Sequence, residues 1–137
     1  MPLWRADELV ALRLAQEVSE GLFFVAECKG EPAGTIKFQL EDPLCWPDVP
    51  QGESAFVHRL AIRREFAGRS ISNALLECAI QRTRGIGRRF LRLDCDAARP
   101  KLRALYERFG FRYHSDRRVG LYQLARYEYD VVAETGH

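Results

Sequence analysis

The stretch from Phe56 to Leu76 carries the first chemical constraint. Phe56-Val57-His58-Arg59-Leu60-Ala61-Ile62-Arg63 reads as an apolar strand. Arg64-Glu65-Phe66-Ala67-Gly68-Arg69-Ser70 reads as a tight loop, and Ile71-Ser72-Asn73-Ala74-Leu75-Leu76 opens an amphipathic helix. Such a junction points backbone N–H groups at one spot, where they and the helix dipole favour an anion such as a phosphate. Gly68 allows close approach of the backbone, and Ser70 is small enough to permit it and could add its own hydroxyl. The plain alternative is a strand-to-helix connection with a glycine for tight packing. Cys28, Cys45, Cys78 and Cys95 form no C-x-x-C pair and have no histidine at ligand spacing, so no metal site is expected. They read as free thiols, with Cys78 and Cys95 on the apolar faces of a helix and a strand.

The elements that must position this junction can be read along the chain. Asp7 is a candidate N-cap for a helix over about residues 8–20, with Leu9, Leu12 and Val18 as its stripe and Gly21 as its end. Residues 22–28 form a strand, Lys29-Gly30-Glu31-Pro32 a turn, and residues 33–40 the returning strand of a hairpin. Residues 42–54 form a loop with Pro43, Pro47, Pro50 and Gly52, long enough to suggest function or disorder. A central strand over 55–62 precedes the phosphate loop. Ile71, Leu75 and Cys78 set the next helix, closed by Gly85 and Gly87. A strand over 90–95 follows, then a helix over about 100–108 with Pro100 in its first turn and Gly110 as its cap. Residues 111–115 and 121–129 close the chain as a hairpin. The order α-β-β-β-α-β-α-β-β predicts an α/β-type mixed sheet with helices on both faces.

Bulk properties exclude several classes. The 137 residues are enough for one domain, read as spanning residues 1–137. The net charge of +2, from 21 basic and 19 acidic side chains, gives no case for nucleic-acid binding. Arg82, Arg84, Arg88 and Arg89 read as a solvated face. No apolar run approaches the ~20 residues of a membrane span, and Asp7 and Glu8 stand where a signal peptide would be apolar. A cytoplasmic protein is expected.

Together with Leu105-Tyr106-Glu107-Arg108-Phe109-Gly110-Phe111, the Phe56–Leu76 junction resembles the GNAT family of N-acetyltransferases. The resemblance covers residues 5 to 130. It implies an acyl-CoA N-acyltransferase fold, a central twisted and mostly antiparallel sheet flanked by helices, and acetyl-CoA as co-substrate. The family's loop pattern is Gln or Arg, two variable residues, Gly, one variable residue, then Gly or Ala. Gly68 matches it, Glu65 replaces Gln or Arg, and Ser70 replaces Gly or Ala. The resemblance implies cofactor contacts from Leu60, Ala61 and Ile62 and from Phe66, Ala67, Gly68, Arg69, Ser70, Ile71 and Ser72. Arg99 stands where the family often has an asparagine contacting pantetheine. The oxyanion donor would be a backbone N–H near Leu60 to Ile62.

The resemblance also gives Tyr106 a role, since a tyrosine in this context can protonate the departing CoA thiolate. A residue packing the core is the plain alternative. Some members place a catalytic Glu on the central strand; the matching position is Phe56, which cannot serve. By strand alternation His58 is the best replacement base, with a satisfied core or cofactor-face histidine as its plain alternative. Glu53, Asp94 and Asp96 are the other candidates, and a relay of waters is a further alternative. The acceptor would be a primary amine of a small molecule or peptide, bordered by the 42–48 loop and Tyr122. Trp46, with Asp42, Asp48, Asp94 and Asp96, would receive its cation on an aromatic floor. A tryptophan covering the core beneath a proline-rich loop is the alternative.

Family members usually begin with a strand and helix before these elements, whereas this chain opens into its helix. Leu22–Cys28 would then be a sheet edge bearing Phe23, Phe24 and Val25, which a true start further upstream, a shorter version of the fold or a homodimer covering the edge would each explain. A competing function is a non-catalytic acyl-CoA-binding or regulatory module on the same fold.

Overall fold

The structure is a computed structural model that describes residues 11–18, 21–28, 30–67 and 71–134. These form two compact units. The first holds the described residues through Gln39 with Val57–Arg82; the second holds Leu40–Phe56 and the described residues from Thr83 onward. The fold is mixed α+β. A parallel ladder joins β4 (Ser54–Ile62) to β5 (Phe90–Asp96), and the β1–β2, β2–β3, β5–β7 and β6–β7 ladders are antiparallel.

The first unit is built on β1 (Ala11–Val18), β2 (Gly21–Cys28), β3 (Glu31–Gln39) and the C-terminal part of β4, in that order across the sheet. A 3-10 turn (Arg64–Phe66) leads toward α1 (Ile71–Gly85). Leu22, Phe24, Val25, Ala26 and Cys28 are all buried. Burial of consecutive residues explains why β2 reads as a continuous apolar run rather than an alternating one. Phe24 and Phe38 meet edge-on at 5.9 Å. Helix α1 buries Ile71, Ala74, Leu75, Leu76, Ala79 and Ile80, the apolar stripe its spacing predicts.

Two expectations fail here. Within the helix expected over residues 8–20, Ala11–Val18 is instead β1, and Asp7 with residues 8–10, 19 and 20 lies outside the described residues. The segment Ala-Leu-Arg-Leu-Ala-Gln-Glu-Val satisfies a two-residue period through Leu12 and Leu14 as well as a helical one. Pairing with β2 decides the matter, and a bulge between Leu14 and Gln16 breaks the regular alternation. Consequently β2 is not a sheet edge: Leu12 faces Ala26 and Leu14 faces Phe24 on one side, while β3 pairs on the other. The case for a homodimer through Leu22–Cys28 loses its premise.

The close fit of the first unit depends on Gly34. A Cβ there would stand 2.7 Å from Ile62 Cδ1, 3.0 Å from Ala61 O and 3.2 Å from Ile71 Cγ2. Lacking one, β3 lets the end of β4 and the start of α1 approach together.

The second unit orders the start of β4, β5, β7 (Tyr122–Asp130) and β6 (Arg112–Val119). Ser54, Ala55 and Phe56 face Phe90, Leu91 and Arg92. Helix α2 (Pro100–Phe109) starts on Pro100 and ends at Gly110, whose φ of 125° suits glycine alone. A short α3 (Val131–Glu134) follows β7, and Arg84 donates to Val131 O from Nε and Nη2. Of the arginines expected as a solvated face, Arg82 and Arg89 are exposed, whereas Arg84 and Arg88 are half-buried and donate to backbone carbonyls. Arg88 Nη1 donates to Leu40 O and Ser54 O, and Arg89 pairs with Asp130 at 3.2 Å.

Candidate active site

In the first unit the phosphate junction begins where β4 ends. Arg63 is its organiser: its backbone N–H donates to Ala33 O, Nη1 to Pro32 O, and Nη2 to Glu65 Oε2 at 2.7 Å. Glu65, the one carboxylate of the loop, is thereby matched by a neighbouring cation. The amides of Phe66 and Ala67 donate to Arg63 O and Arg64 O inside the 3-10 turn. Those two N–H groups are therefore spent within the turn. Phe66 contributes instead as a buried ring with the Arg63 guanidinium 5.8 Å away. Gly68, Arg69 and Ser70 lie outside the described residues. Helix α1 then starts with Ile71 buried, Ser72 half-buried and no acidic side chain in its first turn. First-turn amides have no intrahelical partner, so this helix start suits an anion.

On β4, His58, Leu60 and Ile62 are half-buried while Arg59 and Ala61 are exposed. The alternation expected for His58, Leu60 and Ile62 therefore holds in burial. Arg59, between His58 and Leu60, has a φ of 55°. A non-glycine residue in this left-handed region is strained, and strain of this kind concentrates at functional positions.

In the second unit Tyr106 is a buried ring on α2, 6.0 Å from Phe111 and 6.3 Å from Tyr127 between centroids. Burial raises the pKa of its phenol well above the usual range, with Cys95 and Asp94 adding to the rise and Arg99 opposing it. Like any tyrosine at physiological pH, the group is neutral and carries its proton. Arg99 is exposed and forms the N-cap position of α2 without a side-chain cap bond.

The carboxylates proposed from sequence are mostly committed to structure. Glu53 pairs with Arg92 at 3.4 Å. Asp96 Oδ1 accepts from Ala98 N and so shapes the turn before α2. Asp94 is half-buried and accepts the Cys45 thiol, whose pKa is pushed up to about 12, first by burial and then by Asp94 and Asp42.

Trp46 is only 2% exposed, and guanidiniums already lie over its ring: Arg126 at 4.5 Å and Arg92 at 5.3 Å. Protein cations hold the position that sequence reasoning gave to a substrate amine, and Trp46 covers the core beneath the loop. Its Nε1 is buried with no hydrogen-bond partner among the described residues. A cavity of about 140 Å³ is lined by Trp46, Asp42, Pro43, Pro47, Pro50 and Phe56 among others. Tyr122, opposite Val119 at the tip of the last hairpin, is 66% exposed.

Sequence reasoning missed what fixes the 42–54 loop. Asp42 accepts from Cys45 N through Oδ1 and from Trp46 N through its carbonyl. Arg117 Nε donates to Leu44 O, and Arg126 donates to Cys45 O and to both carboxylate oxygens of Asp48. Proline and glycine counts gave no sign of these clamps. It also missed Arg103 and Tyr127, which join α2 to β7 through an Nε-to-hydroxyl bond of 3.0 Å.

A family model described as the acetyltransferase (GNAT) family matches residues 2–111. The chain is 32% identical over 93 residues to the uncharacterized N-acetyltransferase YesJ of Bacillus subtilis, covering 68% of this chain and 50% of that protein. It thus spans about half the length of this relative. The crystal structure of a GNAT family acetyltransferase from Elizabethkingia anophelis, with acetyl-CoA bound, matches with a TM-score of 0.71 at 15% identity, over 84% of this chain and 79% of that one. A GNAT family acetyltransferase from Listeria monocytogenes matches with a TM-score of 0.68 at 23% identity, over 79% and 63% of the two chains. These structural likenesses establish a shared fold. With the family match over most of its length, the chain belongs to the GNAT acetyltransferase family.

Proposed function

We propose that the protein transfers an acetyl group from acetyl-CoA to a primary amine of a small molecule or peptide, by direct attack in a ternary complex. The observation that carries the reading is Tyr106: a buried phenol in the Tyr-Glu-x-x-Gly-Phe context, packed 6.0 Å from Phe111 and 6.3 Å from Tyr127, in a chain of this family. The acceptor nitrogen attacks the thioester carbonyl carbon, and the carbon–sulfur bond breaks as the amide forms. The departing thiolate takes its proton from the Tyr106 hydroxyl, and the amine proton leaves to a base or to water. A thiol of pKa ~8.5 leaves poorly as a bare anion, so a positioned acid lowers the barrier.

The residues present suit acetyl-CoA. Glu65 is matched by Arg63, and the first turn of α1 has no acidic side chain to repel a pyrophosphate. The amides of residues 68–72, with the strand backbone of Leu60 to Ile62, are assigned to the cofactor, and Arg99 to its pantetheine arm. Among the candidate bases the role is given to His58, half-buried on β4 next to the strand backbone assigned to the cofactor. Tyr122 and the loop around Trp46 are assigned to the acceptor side, with Trp46 as support rather than as the cation's floor. An acyl-cysteine route is disfavoured: burial pushes the Cys95 thiol up to about 11 and raises Cys78 too, while Cys45 is held at about 12. None of the four cysteines forms a disulfide, which suits a reducing cytoplasm. Among the described residues no helix is long and apolar enough to cross a membrane.

The test is Tyr106→Phe. Turnover should fall about 100-fold with acetyl-CoA affinity kept, the signature of a lost general acid. Unchanged turnover would remove Tyr106 from the reaction.

A further inference from the structure

Resting on the reading of Tyr106 as the acid, we propose that Tyr127 is a positioning residue that fixes α2, and with it the Tyr106 phenol, through one doubly bonded hydroxyl. Tyr127 lies on β7, opposite Leu93 of β5, and is fully buried. Its hydroxyl accepts from Arg103 Nε at 3.0 Å and donates to Glu107 Oε2 at 2.5 Å. Arg103 Nη1 continues the chain to Ala97 O at 3.2 Å, just before α2 begins.

Arg103, Tyr106 and Glu107 fall at the i, i+3 and i+4 positions that share one helix face. The hydroxyl therefore holds the turn of α2 on both sides of Tyr106. The Tyr127 ring also packs against Tyr106 at 6.3 Å. One side chain thus sets both the rotation of the helix and a wall of the acid's pocket. The end of α2 packs on the same strand, the Phe109 and Tyr129 rings lying 5.9 Å apart between centroids. A misplacement of about 1 Å in a reacting group can cost about 100-fold in rate.

Tyr127→Phe separates this role from core packing, because the ring stays and only the hydroxyl leaves. CoA release is measured with acetyl-CoA and a panel of tyramine, spermidine and an alanyl tripeptide. With the amine that is turned over, kcat should fall about 10-fold and the KM for acetyl-CoA should stay within about 2-fold. In a Tyr106→Phe background the same change should cost nothing further, since it acts through that phenol. Glu107→Ala should reproduce the loss and Glu107→Gln, which keeps an acceptor, should not. The ¹³Cζ resonance of Tyr106, assigned through Tyr106→Phe, should move in Tyr127→Phe whether or not an amine is found. An unmoved resonance, or an equal loss in both backgrounds, overturns the assignment and leaves Tyr106 as the acid. Full turnover in Tyr106→Phe alone overturns the acid reading and this assignment together.

Discussion

Arg126 lies 4.5 Å over the indole of Trp46 while its guanidinium donates to Cys45 O at 3.0 Å and to Asp48 Oδ1 at 2.8 Å. One buried cation therefore seats the ring and clamps the loop that carries it. Arg126→Ala should destabilise the protein by about 3 kcal/mol, because it removes a buried hydrogen-bonding cation and leaves its partners unmatched. Denaturant unfolding checks this; a change under about 0.5 kcal/mol would show that the loop is held by its other contacts.

The same clamp gives a pH signature. Arg126 holds the Asp48 carboxyl down at about 2 from an ordinary 3.8. A depressed carboxylate contributes stability that is complete above its unfolded pKa and is lost as pH falls through the folded one. Asp48→Asn should therefore have a lower Tm than the parent at pH 7, and the gap should close between about pH 4 and pH 2. Melting curves across that window decide it; a gap that persists below pH 2 would place the interaction elsewhere.

Arg59 holds a φ of 55° inside β4. A β-branched residue pays most for that conformation, so Arg59→Val should cost about 2 kcal/mol, while Arg59→Gly should be near neutral as relieved strain offsets added chain entropy. Equal stability of the two variants would mean that the strand relaxes out of the left-handed region.

Arg63 and Glu65 meet at 2.7 Å with both side chains partly exposed. Arg63→Ala leaves the Glu65 charge unmatched on the proposed phosphate loop and should weaken acetyl-CoA binding about 5-fold at low salt, less at high salt. Glu65→Gln in that background should restore most of the loss. Failure to restore would assign Arg63 to the backbone frame it makes with Pro32 and Ala33.

What the sequence made legible follows from how local each signal is. Pro100 and Gly110 bracket α2 because capping acts within a turn, and the Ile71 and Leu75 stripe of α1 is periodic over its own length. The residues 8–20 were misread because the segment fits two periods, and only its pairing with β2 chooses between them. The role of Trp46 was open for a similar reason. Its covering guanidiniums come from Arg92 and Arg126, 46 and 80 positions away, and no spacing rule reaches that far. Tyr127 gave no signal at all, since a tyrosine in a strand is ordinary until its hydroxyl is seen between Arg103 and Glu107. Tyr106 could be singled out in the sequence because Glu107, Gly110 and Phe111 form a local motif around it.

The most direct measurement of the central claim is calorimetric titration with acetyl-CoA and with free CoA, followed by CoA release with the amine panel on the same preparation. The account predicts micromolar binding, amine-dependent CoA release, and loss of that release but not of binding in Tyr106→Phe. Binding without release for any amine would point to an acyl-CoA-binding module, and no binding by the folded protein would contradict the account.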